Sequence, residues 1–247
     1  MSIIDATVFC MFTCAPVSGG PIGKAVDHRI PVYEVRDLPI EDALKRLVGE
    51  RGRTFVIGFE QTSMTGTTEP RINLTVEQNT VGEILKAICS QDPRYTFSEP
   101  EDGVLNVFPA VEPADARAIL DLTLSQVDIA VRDWPFNLFA RISEFAPDLR
   151  KYLEMRAEEY RAGTLSRPPG SPGVTMTNDV EPPQIEIHLR QTTVRGALNA
   201  IAAFTLTHSF SDQTPTVVLE PTGWKFWFQT DTHAATGLGG YPHWEPF

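Results

Sequence analysis

The sequence has few cysteines, no long hydrophobic run and no excess of positive charge. Its 247 residues include three cysteines, 21 lysines and arginines, and 32 aspartates and glutamates, which gives a formal charge of −11. Nucleic-acid backbones and anionic membrane surfaces are bound by basic faces, so neither is expected as the main partner. No stretch reaches the roughly 20 apolar residues of a membrane-spanning helix, so no direct membrane span is expected.

The cysteines and the common catalytic motifs indicate no reactive site. Cys10 and Cys14 have CxxxC spacing without a second pair of ligands nearby, whereas a structural zinc site needs four ligands. Cys89 lies on the apolar stripe of a predicted helix and is interpreted as a core residue. GxSxG, HExxH, CxxC and a GxGxxG after a strand are absent from the sequence. We therefore predict no catalytic, cofactor-binding or metal-binding residue and no enzymatic activity.

Two groups of ionisable side chains have structural interpretations. His188 is expected on the solvated face of a strand, because apolar residues flank it on both sides. Asp37, Glu41 and Asp42 lie in the first turn of a predicted helix, where acidic side chains interact favourably with the positive end of the helix dipole. Neither group is predicted to take part in catalysis.

A strand-then-helix pattern recurs four times along the chain. Apolar side chains at alternate positions are followed by a turn and then by apolar positions three and four apart, which is typical of a strand followed by an amphipathic helix. The strand stripes are Tyr33 and Val35; Ile72, Leu74 and Val76; Val127, Ile129 and Val131; and Ile185, Ile187 and Leu189. The helix stripes that follow them begin at Ile40, Val81, Phe136 and Val194.

The four units form two pairs, which predicts an internal duplication. Residues 35–39 (VRDLP) return as 131–135 (VRDWP), an offset of 131 − 35 = 96. Residues 72–88 return as 185–201, an offset of 185 − 72 = 113. The difference of 113 − 96 = 17 residues predicts an insertion at about 145–183 in the second copy, consisting of a charged helix followed by a loop rich in Pro and Gly.

Composition and the repeat divide the chain into four segments. Their bounds are 1–27, 28–112, 113–231 and 232–247. The first is either a degraded signal segment, since it holds an apolar stretch followed by small residues, or a disordered leader, since no Lys or Arg precedes that stretch. The second and third are the predicted modules. The last, which includes His233 and His243, is rich in Gly and Pro and is predicted to be a flexible tail.

The repeated unit resembles a known small domain. A strand, a turn with Thr-Val, a helix of the form V-x-x-A/I-L-x-A-I and two further strands are found in residues 72–108 (INLTVEQNTVGEILKAI…VLNVF) and 185–228 (IEIHLRQTTVRGALNAI…WKFWF). This order resembles the short N-terminal (STN) domain of secretins and of signalling TonB-dependent receptors. The resemblance covers two tandem copies, about 32–110 and 120–231. It implies an α+β fold of two tandem βαββαββ modules, each a small mixed sheet packed by two helices.

The resemblance also implies a function, and two alternatives stay open beside it. It implies a non-enzymatic protein-interaction module of the bacterial cell envelope, located in the periplasm, that binds another envelope protein either by adding a strand to a sheet edge or by docking on the face that carries Trp227. A cytoplasmic location stays open. The alternatives are a peptide- or glycan-binding domain that uses the cleft between the modules, and a hydrolase with an unrecognised site. No cofactor is expected.

An aromatic run near the end of the second module supplies the candidate contact residues. On a strand, Trp224, Phe226 and Phe228 share one face, which is predicted to be core. Trp227 and Lys225 lie on the opposite face and are the predicted protein-contact residues. The alternative is that the inserted helix covers Trp227.

Overall fold

The computed structural model describes residues 24–49, 55–61, 69–99, 103–111, 114–162, 182–208, 223–229 and 241–247. A short 3₁₀ helix at Ala25–Asp27 precedes nine strands and six α-helices. These are β1 Arg29–Leu38, α1 Ile40–Val48, β2 Val56–Glu60, β3 Ile72–Thr80, α2 Val81–Gln91, β4 Tyr95–Ser98, β5 Val104–Pro109, α3 Ala114–Leu120, β6 Thr123–Arg132, α4 Pro135–Phe145, α5 Pro147–Ala162, β7 Gln184–Thr193, α6 Val194–His208, β8 Trp224–Gln229 and β9 Tyr241–Pro246.

The described strands form two ribbons and one central sheet. The first ribbon is the antiparallel pair β1–β3, and the second ribbon is the antiparallel pair β6–β7. The central sheet has the order β4-β5-β2-β8-β9, and β2 runs parallel to both of its neighbours. The predicted α+β class with small mixed sheets is confirmed.

The central sheet contains strands from both halves of the chain, whereas the sequence analysis predicted a separate sheet for each module. Gly58 and Phe59 of β2 lie opposite Trp224 and Lys225 of β8. All five residues of β2 are buried. A strand that is buried on both faces needs cover on both faces and neighbours on both edges, and the second half supplies one face and one edge.

Two hydrophobic cores lie on opposite faces of the central sheet. Ile57 and Phe59 of β2 belong to the first core, with α1, α2 and the first ribbon. Val56 of β2 and Val104 of β5 belong to the second core, with α4, α6 and the second ribbon. Successive strand side chains point to opposite faces, so β2 contributes to both cores. Each helix pair therefore lies between the central sheet and one ribbon.

The buried stripes of β1 and β6 correspond at an offset of 94 residues. The buried stripe of β1 is Ile30, Tyr33 and Val35, and that of β6 is Leu124, Val127 and Ile129. The offset is 124 − 30 = 94, so the predicted offset of 96 is wrong for this strand, and Val35 corresponds to Ile129 rather than Val131. The shared VRDLP and VRDWP runs extend into the connection before the helix, which is one residue in the first half and two residues in the second.

The ends of β3 and β7 repeat closely at the predicted offset of 113. Gln78 and Gln191 both adopt a left-handed backbone conformation, with φ of 56° and 51°. Three residues later the helices α2 and α6 begin at Val81 and Val194. The backbone N–H of Val81 donates to the carbonyl of His28 at 2.9 Å, and that of Val194 donates to the carbonyl of Leu122 at 3.2 Å.

Threonine side chains cap the starts of both of these helices. The hydroxyl of Thr80 accepts from the N–H of Glu83, and the Glu83 carboxylate accepts from the N–H of Thr80 at 2.8 Å, which is a capping box. The hydroxyl of Thr193 accepts from the N–H of Gly196 at 3.0 Å without a returning carboxylate. Each cap satisfies a backbone donor at a helix start.

Other predictions had mixed outcomes. The charged helix of the insertion is confirmed as α5. The prediction of a flexible tail is wrong for residues 241–246. These residues form β9, which pairs with β8 and places His243 opposite Trp227. Residues 1–23, with Cys10 and Cys14, lie outside the described residues, as does His233.

None of the described helices is long and apolar enough to cross a membrane.

Candidate functional site

The predicted contact residue Lys225 forms an ion pair within the molecule. Its amine lies 2.8 Å from Glu41 Oε2 of α1, and its side chain is 12% exposed. Burial alone would raise the pKa of Glu41, but hydrogen bonds from Lys225 and Lys45 hold that pKa below its ordinary value. Trp227 lies in β8, but its side chain is outside the part that the structure describes. The role of both residues in binding a partner stays a prediction.

A buried ion pair joins α6 to β2. Arg195 Nε lies 2.6 Å from Glu60 Oε1, and Nη2 lies 3.2 Å from Oε2, while Glu60 is 1% exposed. Arg195 also bonds to Asp121, which follows α3. Buried charges are retained where they are paired in this way, and this pair links α6 of the second half to β2 of the first. The sequence analysis missed it, although the signal was a single acid at the end of the apolar run TFVIGF.

The boundary between the halves is packed where the structure describes it. Trp224 is fully buried, and its indole N–H donates to Asn199 Oδ1 at 2.8 Å. A Cβ added at Gly58 would lie 2.5 Å from the Trp224 ring, so the glycine permits this approach of β2 and β8. Trp224 and Phe226 occupy the core face, as predicted. Side chains therefore fill the place where a cleft between modules was expected.

His188 lies on the polar face of the second ribbon, as predicted, and its side chain is 58% exposed. Its Nδ1 is 3.0 Å from Oδ1 of Asp128, the residue directly opposite on β6, and Arg190 Nη1 is 3.0 Å from the same oxygen. Hydrogen bonds from His188 and then Arg190 lower the pKa of Asp128. This arrangement is a cross-strand polar cluster on an exposed sheet face, in which Arg190 supplies the charge opposite to that of Asp128.

Neither a metal cluster nor a reactive thiol is present among the residues that the structure describes. No group of three His, Cys, Asp or Glu side chains there is placed to hold a metal ion. Burial, followed by the charge of Asp92, raises the pKa of Cys89 to about 11. The Cys89 thiol is therefore protonated at neutral pH and is a poor nucleophile.

The first strand of each ribbon has a blocked edge at the same structural position. Pro31 of β1 and Ser125 of β6 correspond at the offset of 94, and neither has a direct partner in the strand register. Pro31 has no N–H to donate. The N–H and hydroxyl of Ser125 donate to Asp148 of α5 at 2.7 and 2.6 Å. These bonds, the hydroxyl first, lower the pKa of Asp148.

Two side chains cap the edge of β3. The amide of Gln91 accepts from the N–H of Asn73 at 2.8 Å and donates to its carbonyl at 2.9 Å, as a neighbouring strand would. The guanidinium of Arg29 donates to the carbonyl of Gln78 at 3.1 Å. Side chains thus occupy this edge near both of its ends.

The edge of β7 lacks the equivalents of both caps. Phe204 stands where the first half has Gln91, and Thr123 stands where it has Arg29, so neither can bond to the strand in the same way. The bonds of Asn73 to Gln91 show that its backbone groups point outside the ladder with β1, and Asn73 corresponds to Glu186 at the offset of 113. Because alternate residues of a strand present their backbone to the same side, Glu186, His188 and Arg190 face the edge of β7 that no described side chain caps.

Comparison with known proteins identifies no relative of this chain: no family model, curated protein or solved structure matches it. Among the described residues, the open edge of β7 is the best-defined candidate for a binding site. Its backbone geometry is the basis for this assignment.

Proposed function

We propose that the chain is a non-enzymatic protein-interaction module of the bacterial cell envelope, composed of two tandem STN-like βαββαββ units. The resemblance of residues 72–108 and 185–228 to STN domains supports the envelope location and a partner that is another envelope protein. The partner adds a strand to the edge of β7.

The repeated geometry of the two halves supports the tandem units. The first half runs β1-α1-β2-β3-α2-β4-β5, which is the βαββαββ order, and the second half runs α3-β6-α4-α5-β7-α6-β8-β9 among the described elements, with α5 where the first half has the strand β2. The left-handed Gln78 and Gln191, the threonine caps and the bond from each helix start to the residue before each ribbon recur at matching positions. A repeated irregularity of this kind is a stronger sign of common origin than shared apolar spacing.

One observation carries the strand-addition proposal: among the described residues no side chain caps the edge of β7, whereas Gln91 bonds to the edge of β3 and Asp148 bonds to Ser125 of β6. Natural proteins protect edge strands with proline, charge or covering elements, because an exposed row of backbone groups pairs readily with another chain. The central sheet offers poorer edges, because β4 has four residues and β9 contacts α4. A strand added to β7 would gain affinity from backbone hydrogen bonds.

The packed boundary between the halves favours this proposal over a ligand-binding cleft. Trp224, Asn199 and the Glu60–Arg195 pair fill the described part of that boundary. The exposed Asp128–His188 pair is explained by cross-strand pairing and does not favour a hydrolase.

Blocking the β7 edge tests the proposal. His188→Pro removes an outward N–H and leaves the ladder with β6 in place, whereas His188→Ala removes the same side chain and keeps the N–H. The tagged chain is mixed with cell-envelope extract and the retained proteins are quantified. We expect the wild type and His188→Ala to retain a common protein and His188→Pro to lose it by about tenfold or more. Equal retention by a folded His188→Pro variant would overturn the proposal.

A further inference from the structure

We infer that the β7 edge pairs with the β7 edge of a second copy of this chain, so that the two second ribbons form one continuous four-stranded antiparallel sheet. This inference rests on the proposed use of the β7 edge and names the partner. The pairing is centred on His188, with a two-fold axis between the two strands.

The charges along β7 select a second copy and this register. Glu186 and Arg190 lie two residues on either side of His188, and both are exposed on the polar face. In an antiparallel pair centred on His188, Glu186 of each copy lies directly opposite Arg190 of the other. Directly opposed side chains in such a pair have Cβ atoms about 5 Å apart, so the two opposite-charge pairs form simultaneously.

The other face and the backbone suit the same register. It places Ile187 of one copy opposite Leu189 of the other, and these are apolar side chains on the core side of the strand. Glu186 presents its backbone outward by correspondence with Asn73, and in a strand the residues two positions apart present their backbone in the same direction. Glu186, His188 and Arg190 are therefore the positions that can exchange hydrogen bonds across the axis.

The symmetry explains why the edge does not accept an arbitrary strand. A two-fold interface is self-complementary, so each favourable contact occurs twice. A shift of the second copy by two residues would place His188 opposite Arg190 and would leave Glu186 without an opposite charge. The charge pattern thus favours one register over its neighbours.

The test is a charge exchange followed by mixing, in the full chain and by analytical ultracentrifugation. Glu186→Arg places Arg opposite Arg twice, and Arg190→Glu places Glu opposite Glu twice. We expect the wild type to form a concentration-dependent dimer and each variant to dimerise at least about tenfold more weakly. When the two variants are mixed, every opposed pair is again of opposite charge, so a heterodimer should form. The double variant should dimerise like the wild type.

Glu77→Arg is the matched control. Glu77 is the equivalent of Arg190 in the first half, on the capped strand β3, so this variant should dimerise as the wild type does. Far-ultraviolet circular dichroism on each sample separates loss of pairing from loss of fold, and recovery on mixing shows that both single variants are folded.

The outcomes separate this inference from the proposed function. A wild type that stays monomeric throughout its soluble range, or single variants that dimerise normally or fail to recover on mixing, would overturn the inference. If such a monomer still retained an envelope protein in a manner sensitive to His188→Pro, the proposed function would stand alone. A dimer that obeys the charge rule and retains no other protein would support the inference and count against the heterologous partner.

Discussion

The first and second ribbons share a backbone irregularity but protect their edges differently. In both, a left-handed glutamine lies opposite a residue without a direct ladder partner, which is Pro31 in the first ribbon and Ser125 in the second. Proline has no donor to satisfy, whereas the Ser125 donor is satisfied by Asp148 of the inserted helix. The backbone geometry is therefore common to both halves, and single side chains decide which edges are open.

The two long helices show the same contrast at a single position. Lys86 of α2 and Asn199 of α6 correspond at the offset of 113. Lys86 is exposed, whereas Asn199 is 4% exposed and accepts the indole N–H of Trp224. The same helix position thus faces solvent in one half and the central sheet in the other, because β8 lies against α6.

The largest expected effect comes from the ion pair that joins the halves. Arg195→Met removes the partner of a carboxylate that is 1% exposed, and loss of one member of a buried pair typically costs about 3 to 5 kcal/mol. We expect the free energy of unfolding to decrease by an amount near the lower limit of this range, because the Arg195 side chain is itself 22% exposed. Urea denaturation measures this decrease. The double variant Glu60→Gln/Arg195→Met should recover part of the loss, and a single variant as stable as the wild type would contradict the structural role of the pair.

The next largest effect, which comes from truncating a core leucine, should be the same in both halves. Leu85 and Leu198 correspond at the offset of 113, and both are 0% exposed. Truncation of either to alanine leaves a cavity and should lower the free energy of unfolding by about 2 to 5 kcal/mol. Chemical denaturation of both variants compares the halves directly. A small effect at one leucine only would show that the two helices are not equivalent.

A smaller effect should differ between the halves. Asn199→Ala leaves the buried Trp224 indole N–H without its acceptor and should cost about 1 to 3 kcal/mol. Lys86→Ala at the equivalent exposed position should change stability by less than about 0.5 kcal/mol. The two variants are compared in the same denaturation series, and equal effects would show that α6 does not pack against β8 as described.

The smallest effect depends on pH. Because its pKa is lowered in the folded state, Asp148 stabilises the protein above the ordinary Asp pKa of about 3.9, and this contribution is lost as the pH falls through the lowered value. Asp148→Ala should therefore be less stable than the wild type at neutral pH and equally stable in strong acid. In a Ser125→Pro background, which adopts the first-half arrangement, the effect of Asp148→Ala should disappear. Its persistence there would assign Asp148 another partner.

Local units of the fold could be predicted from the sequence, and long-range pairings could not. The alternating stripes and helix stripes predicted β3–α2 and β7–α6, because one buried face imposes a period on the sequence. β2 has no such period, since both faces are buried, and nothing in its sequence indicates β8 as a neighbour. β9 was assigned to a tail because Gly and Pro precede and interrupt it.

The candidate site could be predicted only in part for the same reason. The exposed face of His188 follows from alternation, and the structure confirms it. The caps on β3 could not be predicted, because Gln91 and Arg29 reach the strand from distant positions. The absence of those caps on β7 becomes visible only when the two halves are aligned in space.

The parallel pairing of β2 with β8 sets an order for folding. Gly58 and Trp224 are adjacent in the sheet although 224 − 58 = 166 residues separate them in the chain. Closing so long a loop costs chain entropy, and contacts of such high sequence separation form slowly. During synthesis the first ribbon and its helices can form early, but β2 keeps one edge unsatisfied until β8 has left the ribosome. For that interval the nascent chain exposes a hydrophobic strand edge, which is the stage at which a chaperone would protect it from aggregation.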